Sequence, residues 1–434
     1  AYRHNPFLRI GFTNKQPDCT GISAYKFNYN TSAAYSKKVI NGFITYHFPL
    51  EKYMENFLKR GFKGQNKDKI LIYILFISVF LPYYITAVAL IFSFLYVLIA
   101  GKPPKNFYAN GGFWAILFTV YTAIIGAINR NYLGIACSAA FFMLIVISNY
   151  AREHFDKNMF EKCLSICCLC GFLCAVLSCF EYFYYNFFIH TDKTHRCQLY
   201  FFNSNYLATV LATVIIICGY KIISKNPKYI LYHIVSIFCA VGLYFTGSMF
   251  VWVEVLIGLS SLFLFMRKHQ MLSILLLLAG TACIIIYCMP MLVPRLGESN
   301  ITTDNRVIIW ITSIKQIIKN PVFGGGFLTY FNIFKNYPGS YPTTHSHNIF
   351  LEPILSFGII GTVILLVYLL YFYKRVITCH NAQNQIKITA LILSLTCAIL
   401  IHGTTDLTFM WIQTGLLYCL IMGGLGVEER MLKL

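Results

Sequence analysis

The stretch Thr343–Gly361, TTHSHNIFLEPILSFGIIG, holds the residues best placed to do chemistry. His345, His347 and Asn348 sit in a polar segment, and an apolar run begins at Ile349. Two glycines, Gly358 and Gly361, follow inside that run. An imidazole is partly unprotonated near neutral pH, so His347 can take a proton from a hydroxyl group. The plainer reading is a capping segment for one more helix. An alternative pairs His345 and His347 on a metal ion, but two histidines two apart, with only Glu352 nearby as carboxylate, make a weak metal motif. No metal and no cofactor are expected.

Two arginines come next. Arg196 and Arg306 each flank an apolar run. A guanidinium holds phosphate through a planar fork and keeps its charge at any physiological pH. The competing reading is that each only snorkels to lipid headgroups. Glu254 lies inside an apolar run, and an intramembrane carboxylate is either functional or a hydrogen-bonded structural group. The stripe Cys163, Cys167, Cys170 and Cys174 has helical spacing but no histidine partners, and reads as packing.

The elements that must position these groups are membrane helices. The chain is 57% hydrophobic and 12% charged, with a mean hydropathy of +0.62. Soluble domains carry about 25% charged residues. Apolar runs of membrane-crossing length recur along most of the 434 residues. The net charge of +19 does not imply nucleic acid, because Lys and Arg accumulate in cytoplasmic loops of membrane proteins.

Residues 1–69 read as a basic cytoplasmic tail with an amphipathic helix over 49–60, suited to an anionic leaflet. Residues 70–426 form the membrane domain, and 427–434 a short cytoplasmic tail. Ile70–Ala100 is apolar for 31 residues and broken at Pro82, so it is one kinked helix or two short spans. Further spans fall near 113–129, 131–149, 163–182, 205–222, 230–246, 249–266, 271–292, 349–373, 386–403 and 408–426. The basic loops at Lys102/Lys105, Arg152/Lys157/Lys162, Lys221/Lys225/Lys228, Arg267/Lys268 and Lys374/Arg375/Lys387 share one side only if Ile70–Ala100 crosses twice. That gives an all-α integral membrane protein of about twelve transmembrane helices, both termini cytoplasmic, with one long outer loop at 293–348.

The outer side then carries the segment 183–204, the long loop, and a short turn with Thr404, Thr405 and Asp406. In the long loop Asp304 is the expected N-cap of a helix through Lys319. Val307, Ile311, Ile314 and Ile318 share one face of it, to lie against membrane or bundle. Asn320-Pro321 ends it, and Gly324-Gly325-Gly326 permits an unusual backbone path. The outer loops are slightly basic, against the usual bias, which an anionic substrate on that side explains.

His347-Asn348, nine residues, then Gly358-x-x-Gly361 resembles the pattern of the bacterial O-antigen ligases and the related O-antigen polymerases. The stretch from Asn305-Arg306 through Trp310 to Asn320-Pro321-Val322-Phe323-Gly324 is similar to the family's arginine-bearing segment. Arg196 followed by Phe202-Asn203-Ser204-Asn205 is similar to its earlier outer arginine and Asn-containing helix start. At Thr246-Gly247-Ser248-Met249 the chain departs from relatives that have Arg after Ser.

The resemblance implies a GT-C-like membrane glycosyltransferase in the bacterial cytoplasmic (inner) membrane, with its active site facing outward. It implies a glycan on undecaprenyl pyrophosphate as donor and a glycan or lipid-linked acceptor. His347 would be the base of an inverting, metal-independent transfer. Arg196 and Arg306 would hold the pyrophosphate, with His345, Asn348, Asn205 and Asp406 in support. Two other readings compete: a polysaccharide polymerase using the same donor, and, in another class, a twelve-span transporter. The transporter reading expects two similar halves, and no repeat is visible in the sequence.

Overall fold

The computed structural model describes residues 67–189, 195–224, 227–292, 299–382 and 388–433. The amphipathic helix expected at 49–60 lies outside the described residues. Every regular element among them is helical. Pro82 divides Ile70–Ala100, because it has no N–H to continue a helix. The result is α1 (Lys67–Ser78) and α2 (Tyr83–Ile99). They run antiparallel. At the turn Thr86 Oγ1 donates to Ser78 O (2.7 Å). At the far end Tyr96 and Lys102, past the end of α2, both bond Asp68 at the start of α1 (3.0 and 2.7 Å).

Each remaining apolar run also becomes a helix. They are α3 (Gly112–Ile128), α4 (Tyr132–His154), α5 (Lys157–Tyr184), α6 (Ser204–Ile223), α7 (Tyr229–Phe245), α8 (Val251–Phe265) and α9 (His269–Cys288). After the long connection come α10 (Ser299–Lys319), the short α11 (Thr329–Ile333), α12 (Leu351–Ala382), α13 (Ile388–His402), α14 (Ile412–Met422) and α15 (Leu425–Leu432). Among the described residues five helices are long and apolar enough to cross a membrane: α4, α5 with its extension to Ile189, α6, α9 and α12. Five shorter ones, α2, α3, α7, α8 and α13, are apolar as well. Together they make an all-helical protein of the integral-membrane kind. Its innermost helix is α6, almost every residue of which is buried. No residue of helix α9 is fully buried, and most of its apolar side chains are exposed.

The helix ends sort by charge. At one end Arg152 pairs with Glu429, Arg375 reaches Glu429 (3.4 Å), Lys102 pairs with Asp68, and Lys221 pairs with Glu161. There the Glu428 carboxylate also accepts the first amides of α13, at Ile388 and Thr389 (3.3 Å for the latter). Carboxylates at helix N-termini are stabilising for the same reason. The opposite end carries Arg196, Asn205, His347 and Asp406.

Helix α10 begins at Ser299, so Asp304 lies inside it and is not its N-cap. A good capping residue does not fix the start, because a nucleated helix gains one bond for each further residue. Its stripe is also oriented differently from a bundle-facing one. Val307, Ile311, Ile314 and Ile318 are exposed, and the bundle is met instead by Ile309, Thr312 and Ser313. Ile309 packs with Tyr330 of α11 and Leu355 of α12.

The Gly-rich turn is held by a break in α12. Gly358 has φ 63 and ψ −174, a region open essentially to glycine alone. The break frees Ser356 O, which accepts the amides of Gly325 (3.1 Å) and Gly326 (2.7 Å). It also frees the amides of Ile359 and Ile360, which donate to Pro321 O (2.9 Å) and Val322 O (3.2 Å). A Cβ on Gly358 would collide with the Val322 carbonyl, and one on Gly324 with the Ser356 backbone. Tyr121 of α3 bridges the two strands of this contact, donating to Phe323 O and Phe357 O (3.0 Å each). Below it Phe118, Phe327 and Phe357 form a packed aromatic core. The Gly-rich turn in the middle of the long connection is thereby fixed on α12, the same helix that the histidine segment enters.

Candidate functional site

Asn348 caps α12. Its Oδ1 accepts the amides of Phe350 (2.9 Å) and Leu351 (3.1 Å), and its Nδ2 donates to Thr404 O (3.2 Å). Ile349 N donates to Gly403 O (2.6 Å). The segment 345–349 is therefore laid against the turn that follows α13. Glu352 strengthens the arrangement: its carboxylate accepts Ser346 N (2.7 Å) and Ser356 Oγ (2.6 Å). It serves the loop backbone rather than either histidine.

That docking brings Asp406 to His347. Asp406 Oδ1 lies 2.9 Å from His347 Nδ1. The approach is off the N–H axis, so the contact is a close electrostatic one rather than a straight hydrogen bond. On the other side of the ring, Nε2 is 2.9 Å from Thr343 Oγ1. With the proton on Nδ1 beside the carboxylate, Nε2 presents its lone pair to a hydroxyl. His347 sits in the left-handed region at φ 52, which L residues seldom adopt. The amide of His347 donates to His345 Nδ1 (3.2 Å), which supports that conformation.

Asp406 is buried, and burial alone would raise its pKa. The His347 charge outweighs that and holds the carboxyl below the usual range. Hydrogen bonds from Asn205 Nδ2 (2.7 Å) and Leu407 N (2.8 Å) favour the anion in the same direction. His345 is pushed down to about 3, first by burial and then by the His347 charge, so it stays neutral and can accept through Nδ1.

Asn205 continues the chain of contacts. Its Oδ1 accepts from Arg196 Nη2 (2.8 Å) and Ser248 Oγ (3.1 Å). Arg196 Nε donates to Thr246 O (2.9 Å). Arg196, from the segment before α6, thus ties down the 246–248 turn. Glu181 steadies that segment by pairing with His195 (2.8 Å) and accepting Leu199 N (2.9 Å). Arg306 lies half-buried on α10, near enough for its charge to act on His402.

Five of the residues singled out from sequence, Arg196, Asn205, Asp406, His347 and His345, form one continuous cluster. Asn348 supports it through the backbone, and Arg306 approaches it from α10. Sequence reasoning missed Thr343, and it missed the pairing of Glu254 with His402 beneath the site (2.6 Å). A histidine closing an apolar helix, level with a carboxylate in another, is the only hint the sequence offers. His345, His347 and Asp406 also place one ligand atom each within 4.8 Å of one another, a set that can hold a metal ion. Against this, Nδ1 of His347 is already in close contact with the Asp406 carboxylate.

The fold and the site define an all-helical membrane protein with a linked Arg196–Asn205–Asp406–His347 cluster, which is still a broad class. The comparisons narrow it. Residues 234–366 match the protein-family model described as O-antigen ligase, which supports the O-antigen ligase family for this chain. The matched segment runs from within α7 to beyond the glycine break of α12, and includes Glu254, Arg306 and His347. Arg196, Asn205 and Asp406 lie outside it. No curated protein matches the chain.

Proposed function

We propose that this protein is a membrane glycosyltransferase of the O-antigen ligase type. It moves a glycan from undecaprenyl pyrophosphate to an acceptor hydroxyl at the outer face of the bacterial cytoplasmic membrane. The observation that carries this reading is the line Asp406–His347–Thr343: a carboxylate behind the imidazole and a hydroxyl in front of its Nε2. The Thr343 hydroxyl stands where an acceptor hydroxyl would bind. His347 Nε2 takes the proton as the acceptor oxygen attacks the anomeric carbon. The bond from that carbon to the pyrophosphate oxygen breaks, the configuration inverts, and the pyrophosphate leaves as an anion. Asp406 keeps the proton on Nδ1 and stabilises the imidazolium that forms. Arg196 and Arg306 neutralise the charge growing on the leaving group. In this scheme fixed guanidinium groups take the place of a divalent ion.

The orientation follows from charge. The end that carries Lys102, Arg152, Lys221 and Arg375 is cytoplasmic, and the end with His347 faces outward. All twelve apolar segments, α1 and α2 included, then cross or line the bilayer in alternation. Single cysteines at Lys374 and Lys335, in a background lacking outer native cysteines, check this with an impermeant thiol reagent. Labelling of position 335 only is the expected result. Labelling of 374 from outside excludes the topology.

The arginines provide the direct test of the function. In an assay with purified protein and lipid-linked glycan, Arg306→Ala and Arg196→Ala are each expected to lose about a hundredfold in rate. Lysine should restore either only partly, because it cannot present a planar fork. Transfer by Arg306→Ala at the normal rate rules out the clamp.

A further inference from the structure

Glu254 and His402 take no part in the scheme above, yet both are buried in the bundle. His402 Nδ1 meets Glu254 Oε2 at 2.6 Å. Ionisable groups at membrane depth are expensive unless paired, and are kept where they do something. Two further helices add polar contacts to this pair. Tyr418 of α14 donates to Glu254 Oε1 (3.4 Å). Thr209 of α6 lies 3.4 Å from His402 Nδ1 and donates to Thr408 Oγ1 (2.9 Å). The charges of Asp406 and Arg306 act on His402 from the outer side.

The position of His402 matters more than its charge. It is the last residue of α13, and its carbonyl accepts the amides of Thr405 and Asp406 (3.0 Å each). The turn that carries Asp406 is wound onto that carbonyl. The next residue, Gly403, accepts Ile349 N, and Thr404 accepts Asn348 Nδ2. Both halves of the Asp406–His347 pair therefore hang from the end of α13. Two polar side chains pin the His402 ring, Glu254 on α8 and Thr209 on α6, and the Phe250 ring lies 6.3 Å from it. One turn further in, three helices approach closely: a Cβ on Gly258 of α8 would press on Ala398 of α13 and Ile216 of α6.

We infer that Glu254, through His402, is a positioning residue that sets the distance between Asp406 and His347. The inference rests on the transferase reading of that pair. It requires the length of the Glu254 side chain and an acceptor oxygen at its tip, not its charge.

Two conservative variants separate position from charge, and both keep the site polar. Glu254→Gln keeps length and acceptor and is expected to transfer at close to the normal rate. Glu254→Asp keeps the charge but withdraws the oxygen by one carbon. It is expected to lower kcat about tenfold or more, with the KM for the lipid donor unchanged, because small misplacements of catalytic groups carry large rate penalties. A purely structural role moves yield, thermal stability and KM instead, and a purely electrostatic role reverses the order of the two variants. The cycle with Asp406→Ala completes the test. Glu254→Asp combined with Asp406→Ala should be no slower than Asp406→Ala alone, because there is then nothing left to position. Multiplied losses overturn the inference, as does a Glu254→Asp enzyme with normal kcat. If Asp406→Ala itself works normally, the transferase reading of the pair fails and this inference fails with it. If Asp406→Ala is slow and Glu254→Asp is not, only the inference falls.

Discussion

His347→Ala is expected to insert normally and bind the lipid donor, yet lose transfer by about 10²–10⁴-fold, the range for removing a general base. That corresponds to roughly 3–5 kcal/mol of barrier. Its Nε2 is the only imidazole nitrogen in the cluster that points at a hydroxyl (Thr343, 2.9 Å) with a carboxylate behind the ring. His345→Ala provides the control. His345 is buried and neutral, and it accepts the His347 amide, so its loss loosens the left-handed backbone at His347 without removing a reacting group. The defect should be clearly smaller than that of His347→Ala. Donor binding is read separately, by retention of labelled lipid-linked glycan on purified protein. Full transfer by His347→Ala removes it as the base, and a larger defect in His345→Ala exchanges their roles.

What could be read from the sequence was local. The spacing from His347-Asn348 to Gly358 lies within one loop–helix junction, and both the cap by Asn348 and the break at Gly358 are properties of that junction. Pro82 splits a run too long for one span, and the same cut aligns the basic loops, so the first hairpin was legible twice over. Asp406 was visible as a candidate because its turn lies on the outer side, but its contact with His347 joins positions 59 apart (406 − 347) and depends on Gly403 accepting Ile349 N. The docking of Gly325 and Gly326 on Ser356 O arises only because Gly358 breaks its helix where the turn arrives. The stripe on α10 shows the limit of periodicity. Val307, Ile311, Ile314 and Ile318 form a real apolar face, but in a membrane protein an apolar face is as stable outward as inward. The pattern establishes that there is a stripe and leaves its direction to packing.

The second large effect is expected at Asp406. Asp406→Asn replaces a charged acceptor with a group whose amide can donate to His347 Nδ1. The imidazole proton then moves to Nε2, the nitrogen that must accept, and the imidazolium formed in the reaction loses its counter-charge. A loss of about a hundredfold or more is expected, by the same logic that makes the carboxylate essential in hydrolase triads. Asp406→Ala should fall at least as far, since it also releases Asn205 Nδ2 and the Leu407 amide (2.7 and 2.8 Å). Asn205→Ala should be milder, because it removes one hydrogen bond from Asp406 and leaves its contact with His347 in place. The same variants decide between proton transfer and a cation, because His345, His347 and Asp406 are also the three groups that can share a metal ion. If the pair works by proton transfer, the wild type keeps its rate in EDTA and His345→Ala stays the mildest of the three histidine and aspartate variants. If a cation works there, chelation stops transfer, a divalent ion restores it, and His345→Ala becomes as damaging as Asp406→Ala. The rates of these variants with and without chelator, measured on one preparation, therefore test the base and the metal reading together. Loss on chelation with recovery on adding the ion would replace the His347–Asp406 mechanism with a metal-assisted one.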